Sequence, residues 1–244
     1  MDSLTPYLLS PLFLIAFSLM ELKYPLYPYG ADGAWRIRLL IYAILGIAAT
    51  ALVGIFVEPY LHGISPFSRL SQSLNSIPSW LSGFGAYLMI TFFVYWWHRY
   101  RHYSHFAWKV FHQIHHSTYR LQALTAFYAH PSDFIANVLI IILVSYGIMG
   151  LSIEAASWAA LWVAVFEYWE HTNIRTPHWL GYFIVRPEMH RIHHERKQHR
   201  NNYGLPIWDM VFGTYENSNR PVECGFDTSQ EKRVSEMLAC KQVE

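Results

Sequence analysis

Charge is scarce in this sequence. Only 14% of its 244 residues are Asp, Glu, Lys or Arg, against about 25% in soluble domains. A chain wetted on every side is therefore excluded. The formal net charge is +1, so the basic surplus that holds nucleic acid is missing too. Cysteine is almost absent. Cys224 and Cys240 are the only two, both near the end of the chain, which leaves no disulfide framework and no cysteine metal site. The first apolar run starts at Leu4 with only Asp2 before it. It has no basic leader and no small-residue cleavage site, so it is expected to stay as a membrane segment and not to leave as a signal peptide. Several catalytic signatures are missing. There is no G-x-S-x-G and no P-loop, and His194-Glu195 is followed by Gln198 where H-E-x-x-H needs a second His. A zinc protease is disfavoured on that ground.

What is present is apolar and aromatic: 53% of residues are hydrophobic and 17% are Phe, Trp or Tyr. A bilayer core takes about 20 apolar residues of helix. Leu4 to Leu22, Ile37 to Val57, Trp80 to Trp97, Ser132 to Gly150 and Ile153 to Trp169 qualify as five candidate spans, the last two as a tight hairpin. Lys23, Arg36 and Arg38 lie in the first loop, Arg69 alone in the second, and Arg99, Arg101, Lys109 and Arg120 after the third span. By the positive-inside rule the N-terminus is outside, and the first loop, the segment after residue 97 and the polar end of the chain share the cytoplasmic side.

Histidine is where the sequence departs from the ordinary. Thirteen of its fourteen histidines fall between His98 and His199. His98 and His102 form an H-x3-H. His112, His115 and His116 form an H-x2-H-H, and His190, His193 and His194 repeat it. Helical positions i, i+3 and i+4 share a face, so each motif is expected to point its imidazoles toward one place. A straight helix over 98–116 would hold His102 and His112 about 15 Å apart. A shared site therefore demands a turn between Tyr103 and Phe111, where only Ser104 has turn chemistry. Pro187 and Glu188 suit the start of a helix carrying the third motif, with Asn201-Asn202 and Gly204 at its end. Eight imidazoles exceed the four ligands of a usual zinc site, so two metals are implied. Imidazole suits Zn, Cu, Fe or Ni alike. His105, His178 and His199 are expected as surface or packing residues, and His62, in the external loop, as a residue without function.

At this point the residues resemble a family. H-R-Y-R-H at 98–102, H-Q-I-H-H-S at 112–117 and H-R-I-H-H at 190–194 are similar to the three histidine boxes of the fatty acid hydroxylase superfamily, in its sterol desaturase branch. His130-Pro131, His171-Thr172-Asn173, Asn202-Tyr203-Gly204 and the run from Trp208-Asp209 to Phe212-Gly213-Thr214-Tyr215 resemble further pieces of it. The likeness covers roughly residues 90 to 216. It implies a membrane-bound, non-haem di-iron oxidoreductase, with two iron ions and O2 as co-substrate, that hydroxylates or desaturates a lipid. The implied iron ligands are His98, His102, His112, His115, His116, His190, His193 and His194, with His171 and His130 as further candidates. No fused haem domain is recognisable, so electrons would come from a separate cytochrome b5-type protein or a ferredoxin and its reductase.

The expected architecture is all-α: an integral membrane bundle of four to five spans with a cytoplasmic helical cap carrying a histidine-rich dinuclear metal site. Residues 1–79 would hold the first spans and loops, 80–216 the catalytic domain, and 217–244 a polar tail. Asp133, Glu167, Glu170, Glu188 and Asp209 are candidates to orient the imidazoles through their second nitrogen. Tyr95, Trp96, Trp97, Phe166, Tyr168 and Trp169 could line a lipid slot or form an interfacial belt. Two rival readings are a di-zinc membrane hydrolase and a non-enzymatic metal carrier or sensor. A carrier should place ligands within spans at the midplane, and here they lie past the span ends.

Overall fold

The computed structural model describes residues 4–244. Helix α1 (Thr5–Lys23) has Pro6 in its first turn, where no N–H is needed, and Pro11 inside. Helix α2 (Gly33–Phe56) starts where the Asp32 carboxylate accepts from Trp35 N at 2.9 Å. A short helix α3 (Ser68–Asn75) leads into α4 (Ser79–Tyr103). The chain then folds into a cap through α5 (His105–Ala107), a π turn (Trp108–His112) and α6 (Gln113–Ser117). Helix α7 (Pro131–Ile142) continues as a second π turn to Ile148, and α8 (Ile153–His171) returns alongside. The cap is completed by α9 (Pro187–His193), α10 (Pro206–Phe212), α11 (Thr228–Glu231) and α12 (Val234–Leu238). The described residues contain no strand, only one isolated bridge between Glu195 and Cys224.

Among the described residues, three helices are long and apolar enough to cross a membrane: α1, α2 and Pro131–Ile148. Leu8, Leu12, Ile15, Leu40, Ile44 and Ile47 on the first two are each more than half exposed. Such a surface is at home in lipid and a liability in water. The chain is accordingly a membrane protein. Helices α4 and α8, which hold two of the five expected spans, have the length, 25 and 19 residues. Helix α4 is free of charge from Ser79 to His98, but Ser, Gly, Thr, Tyr and Trp dilute its apolar character, and α8 is free of charge only between Glu154 and Glu167.

Helix α8 packs along α4 and α1, and α7 along α2. Lipid offers no hydrophobic drive between helices, so close backbone approach must hold them. Gly83 provides it: a Cβ there would lie 2.5 Å from Trp158 Cβ and 2.6 Å from the Ala155 carbonyl. At one end of the bundle, Ser71 Oγ and Asn75 Nδ2 donate to the Gly150 carbonyl at 2.7 and 2.9 Å. Gly150 has φ +60° and no room for a side chain there. At the other end, buried Glu21 accepts from the backbone N–H groups of Ala123 and Asn173, which ties α1 to the cap. The polar segment 217–244 packs back on the cap through a few apolar residues. Phe226, Met237 and Val243 are buried with Trp35, Tyr42, Ile114 and Tyr128.

Candidate metal centre

Four helices and one turn assemble the site. His98 and His102 stand one helical turn apart at the end of α4. Ser104 is extended (φ −98°, ψ 118°), and its hydroxyl accepts from Ala107 N at 3.3 Å. This is the turn that the spacing demanded. The π turn that follows is wider than an α turn, a local irregularity frequent at functional sites. Together they fold the chain back, so that His112 Nε2 lies 2.9 Å from His98 Nε2.

The imidazoles form two groups. His98, His102, His112, His116 and His193 make the first, and His115, His171, His190 and His194 the second. Within each group the ligand-capable nitrogens lie within 4.8 Å of one another. The groups adjoin, with the His116 and His194 rings 4.1 Å apart. Each H-x2-H-H is shared between them, which corrects the expectation that one motif serves one place. His112 and His116 join the first group while His115 crosses to the second; His190 and His194 join the second while His193 crosses to the first. Rings four residues apart converge, and the ring three residues on reaches the neighbour.

A second layer fixes which nitrogen faces inward. A carbonyl or carboxylate oxygen can only accept, so the ring nitrogen facing it carries the proton. His98 Nδ1 donates to the Tyr203 carbonyl at 2.8 Å, His193 Nδ1 to the Asn201 carbonyl at 2.7 Å and His171 Nδ1 to the Glu167 carbonyl at 2.7 Å. His112 Nδ1 donates to Asp133 Oδ2 at 3.2 Å, and Asp133 also pairs with buried Arg101. His116 Nδ1 faces His199 Nδ1 at 3.1 Å, and His199 Nε2 donates to the Glu244 carboxylate at 2.8 Å. The Nε2 lone pairs are left pointing into the site. Burial first, then neighbouring imidazoles, push His115, His116, His190 and His194 well below the ordinary imidazole range. Burial takes His193 down to about 3. These rings are neutral at neutral pH, the form that binds metal.

The donor set fits metal. Two nitrogens on adjacent corners of an octahedron, each about 2.1 Å from its centre, lie about 3.0 Å apart. The Nε2–Nε2 separations are 2.9 Å (His98–His112), 3.1 Å (His112–His116), 3.2 Å (His115–His171), 2.9 Å (His171–His190) and 3.1 Å (His190–His194). The Nε2 atoms of His102 and His193 are buried with no hydrogen-bond partner among the described residues. Buried polar atoms are rarely left so unless something absent satisfies them.

Nine of the ten candidate ligands thus come together. His130 does not. It caps α7, with Nδ1 against Ser132 and Nε2 donating to the Leu238 carbonyl. Among the proposed orienting acids, Asp133 holds His112, and Glu170 Oε1 lies 3.5 Å from His190 Nδ1. Glu188 instead accepts from Thr176, and Asp209 from the backbone of Tyr203 and Gly204. Helix α9 ends at His193, earlier than Asn201. The pair Asn201-Asn202 lies beyond it at φ +67° and +50°, a region that Asn tolerates better than most residues. That turn presents the carbonyls of Asn201 and Tyr203 to the rings, a role their being a turn signal did not reveal. His199 was also missed, since one imidazole outside a motif carries no mark.

A cavity of about 520 Å³ runs from the centre between α2, α4, α7 and α8. His98, His112, His115 and His190 stand at one end, with Glu167 and Glu170 beside them. Phe166, Tyr168 and Trp169 line it as expected. Tyr95 and Trp96 instead pack on Phe212, and Trp97 on Phe111.

Two adjoining buried imidazole clusters at the end of apolar helices define a membrane protein with a histidine-rich candidate metal centre. The particular family follows from comparison. The fatty acid hydroxylase family model matches residues 83–214, more than half of the chain, and the chain belongs to that family. It is 30% identical over 149 residues to alkylglycerol monooxygenase of Homo sapiens, covering 58% of this chain and 32% of that protein. It is 27% identical over 184 residues to a sphingolipid C4-hydroxylase of Schizosaccharomyces pombe, covering 72% and 62%. It is 30% identical over 130 residues to an ornithine lipid hydroxylase of Rhizobium tropici, covering 51% and 38%. The chain thus spans less than two thirds of each of these relatives. No solved structure matches it.

Proposed function

We propose that this protein is a multi-pass membrane oxidase in which two iron ions, with O2 and two electrons from a separate cytochrome b5-type or ferredoxin donor, hydroxylate or desaturate a C–H bond of a lipid. His98, His102, His112, His116 and His193 hold one iron, and His115, His171, His190 and His194 the other. When bound, the iron pair supplies the strong oxidant that no side chain can provide. The imidazoles hold both iron redox states without adding negative charge. Asp133 and the carbonyls of Tyr203, Asn201 and Glu167 keep the rings in the tautomer and orientation that ligation needs. The cavity takes the lipid from the bilayer, shields it from water and delivers one carbon to the imidazole end. Lys23, Arg36, Arg38 and the cap lie with the histidines on the cytoplasmic side.

The observation that carries this reading is the junction of an apolar cavity within the helices with two imidazole clusters at its end. The relatives support it: a monooxygenase and two hydroxylases, two of them named for a lipid substrate. The test is purified, iron-loaded protein in lipid nanodiscs with a reductant. Consumption of O2 with a lipid product of altered mass supports the reading. Zinc-dependent ester cleavage without O2 consumption refutes it.

A further inference from the structure

The cavity does not end in hydrocarbon. Glu170 lies beside the imidazoles and Ser157 near the other end of the same helix; 13 positions at 1.5 Å each place them about 20 Å apart along α8. Val138, Ile141, Ala160, Val163 and Ala164 line the middle. Beyond them the wall turns polar again, with Glu58, Ser145, Tyr146, Ser157 and Tyr7. Tyr146 donates to Glu58 Oε1 at 2.9 Å. His62, expected to be without function, packs its ring 4.2 Å from Tyr146 and brings Nε2 to 3.5 Å from the same Glu58 oxygen. Glu58 Oε2 takes part in neither contact. Ser145 Oγ is buried with no hydrogen-bond partner among the described residues. A terminal methyl group seated here would strip these groups of water and give nothing back.

We propose that this remote end is a recognition site for the hydrogen-bond-donating end of a lipid, a hydroxyl or an ammonium. Combined with the oxidase reading, on which this second step rests, the substrate class becomes an elongated lipid whose polar end lies on the order of 20 Å from the imidazole end of the cavity. The donor end donates a hydrogen bond to Glu58 Oε2, and Ser145 Oγ, in the same wall, has a hydrogen bond left to give. Lipids that would bring a carboxylate or phosphate to this position are disfavoured, because a like charge would meet the partly exposed Glu58 carboxylate.

The test measures binding without O2 or electrons, on the full chain in detergent micelles. Radiolabelled cholesterol, hexadecanol, hexadecylamine and palmitic acid are the probes, at mildly alkaline pH. A donor-ended probe should bind saturably and at least about tenfold more tightly than palmitic acid, the difference one charge-assisted hydrogen bond can make. Cholesterol or hexadecanol ahead of hexadecylamine assigns a hydroxyl; the reverse order assigns an ammonium. Glu58→Gln should admit palmitic acid, and Tyr146→Phe with Glu58→Gln should erase the preference, both at wild-type metal content. Unchanged metal content separates loss of the subsite from loss of the fold. Palmitic acid binding as well as the donor-ended probes to the wild type, or variants that keep the wild-type preference, would overturn the proposal. A chain that shows the preference yet oxidises nothing would defeat the oxidase reading alone.

Discussion

The imidazoles of His116 and His194 lie nearly parallel, 17° apart in plane and 4.1 Å between centroids, although they belong to different clusters. They form the wall between the two groups. Helices α6 and α9 each feed both sides of that wall. A shift of either helix therefore disturbs both clusters at once, so the two candidate metal positions are linked.

That linkage sets the first prediction. His115→Ala removes a ligand from the four-membered cluster, and His193→Ala one from the five-membered cluster. Each should lower bound iron and abolish turnover, while membrane insertion stays intact. Metal analysis of purified protein beside an insertion assay checks it. Full iron and full turnover in either variant would show the assignment wrong.

Asp133 carries the second. It is 3% exposed, accepts from His112 Nδ1 and pairs with Arg101, itself 4% exposed. Asp133→Asn leaves a buried guanidinium without its charge partner, which costs about 3–5 kcal/mol. It also loosens a ring that must point at metal, an effect of about 10–100-fold in affinity. Chelator titration and chemical denaturation measure the two losses separately.

His199 should behave like Asp133 on a smaller scale. Its Nδ1 faces His116 Nδ1 at 3.1 Å and its Nε2 donates to the Glu244 carboxylate at 2.8 Å. His199→Ala should speed metal loss to a chelator about tenfold and leave the starting stoichiometry unchanged. His105→Ala, on an exposed ring, should change neither. His130→Ala removes a helix cap and should cost about 1 kcal/mol with iron content intact. Lower iron in that variant would restore His130 as a ligand.

Metal removal should be felt as lost stability. The apo site keeps nine neutral rings crowded in a buried space, several with unpartnered nitrogens. A ligand that binds only the folded state stabilises it by mass action. Stripping metal with a chelator should lower the unfolding temperature, and adding ferrous iron anaerobically should recover it. An unfolding temperature indifferent to metal would count against a structural coupling of site and fold.

The histidine boxes were legible because helical spacing is periodic and imidazole is rare. The spacing required a turn near Ser104, and the chain turns there. Other features were hidden for physical reasons. The division of each H-x2-H-H between two clusters depends on how α6 and α9 face each other, which no local pattern encodes. The carbonyls of Asn201 and Tyr203 are backbone atoms, and any residue carries one. The burial of Phe226, Met237 and Val243 escaped notice because three apolar residues spaced among polar ones show no period. Helices α4 and α8 read as spans by length, yet their ends carry the charges that serve the site. His130 matched a family pair, and geometry gives it to the start of α7.

The most direct test of the whole account is the metal content of protein purified anaerobically from iron-supplemented cells. Two irons per chain are expected, falling together with lipid oxidation when His115 or His193 is replaced. One metal per chain, or two zinc ions with oxidation undiminished after iron is removed, would contradict it.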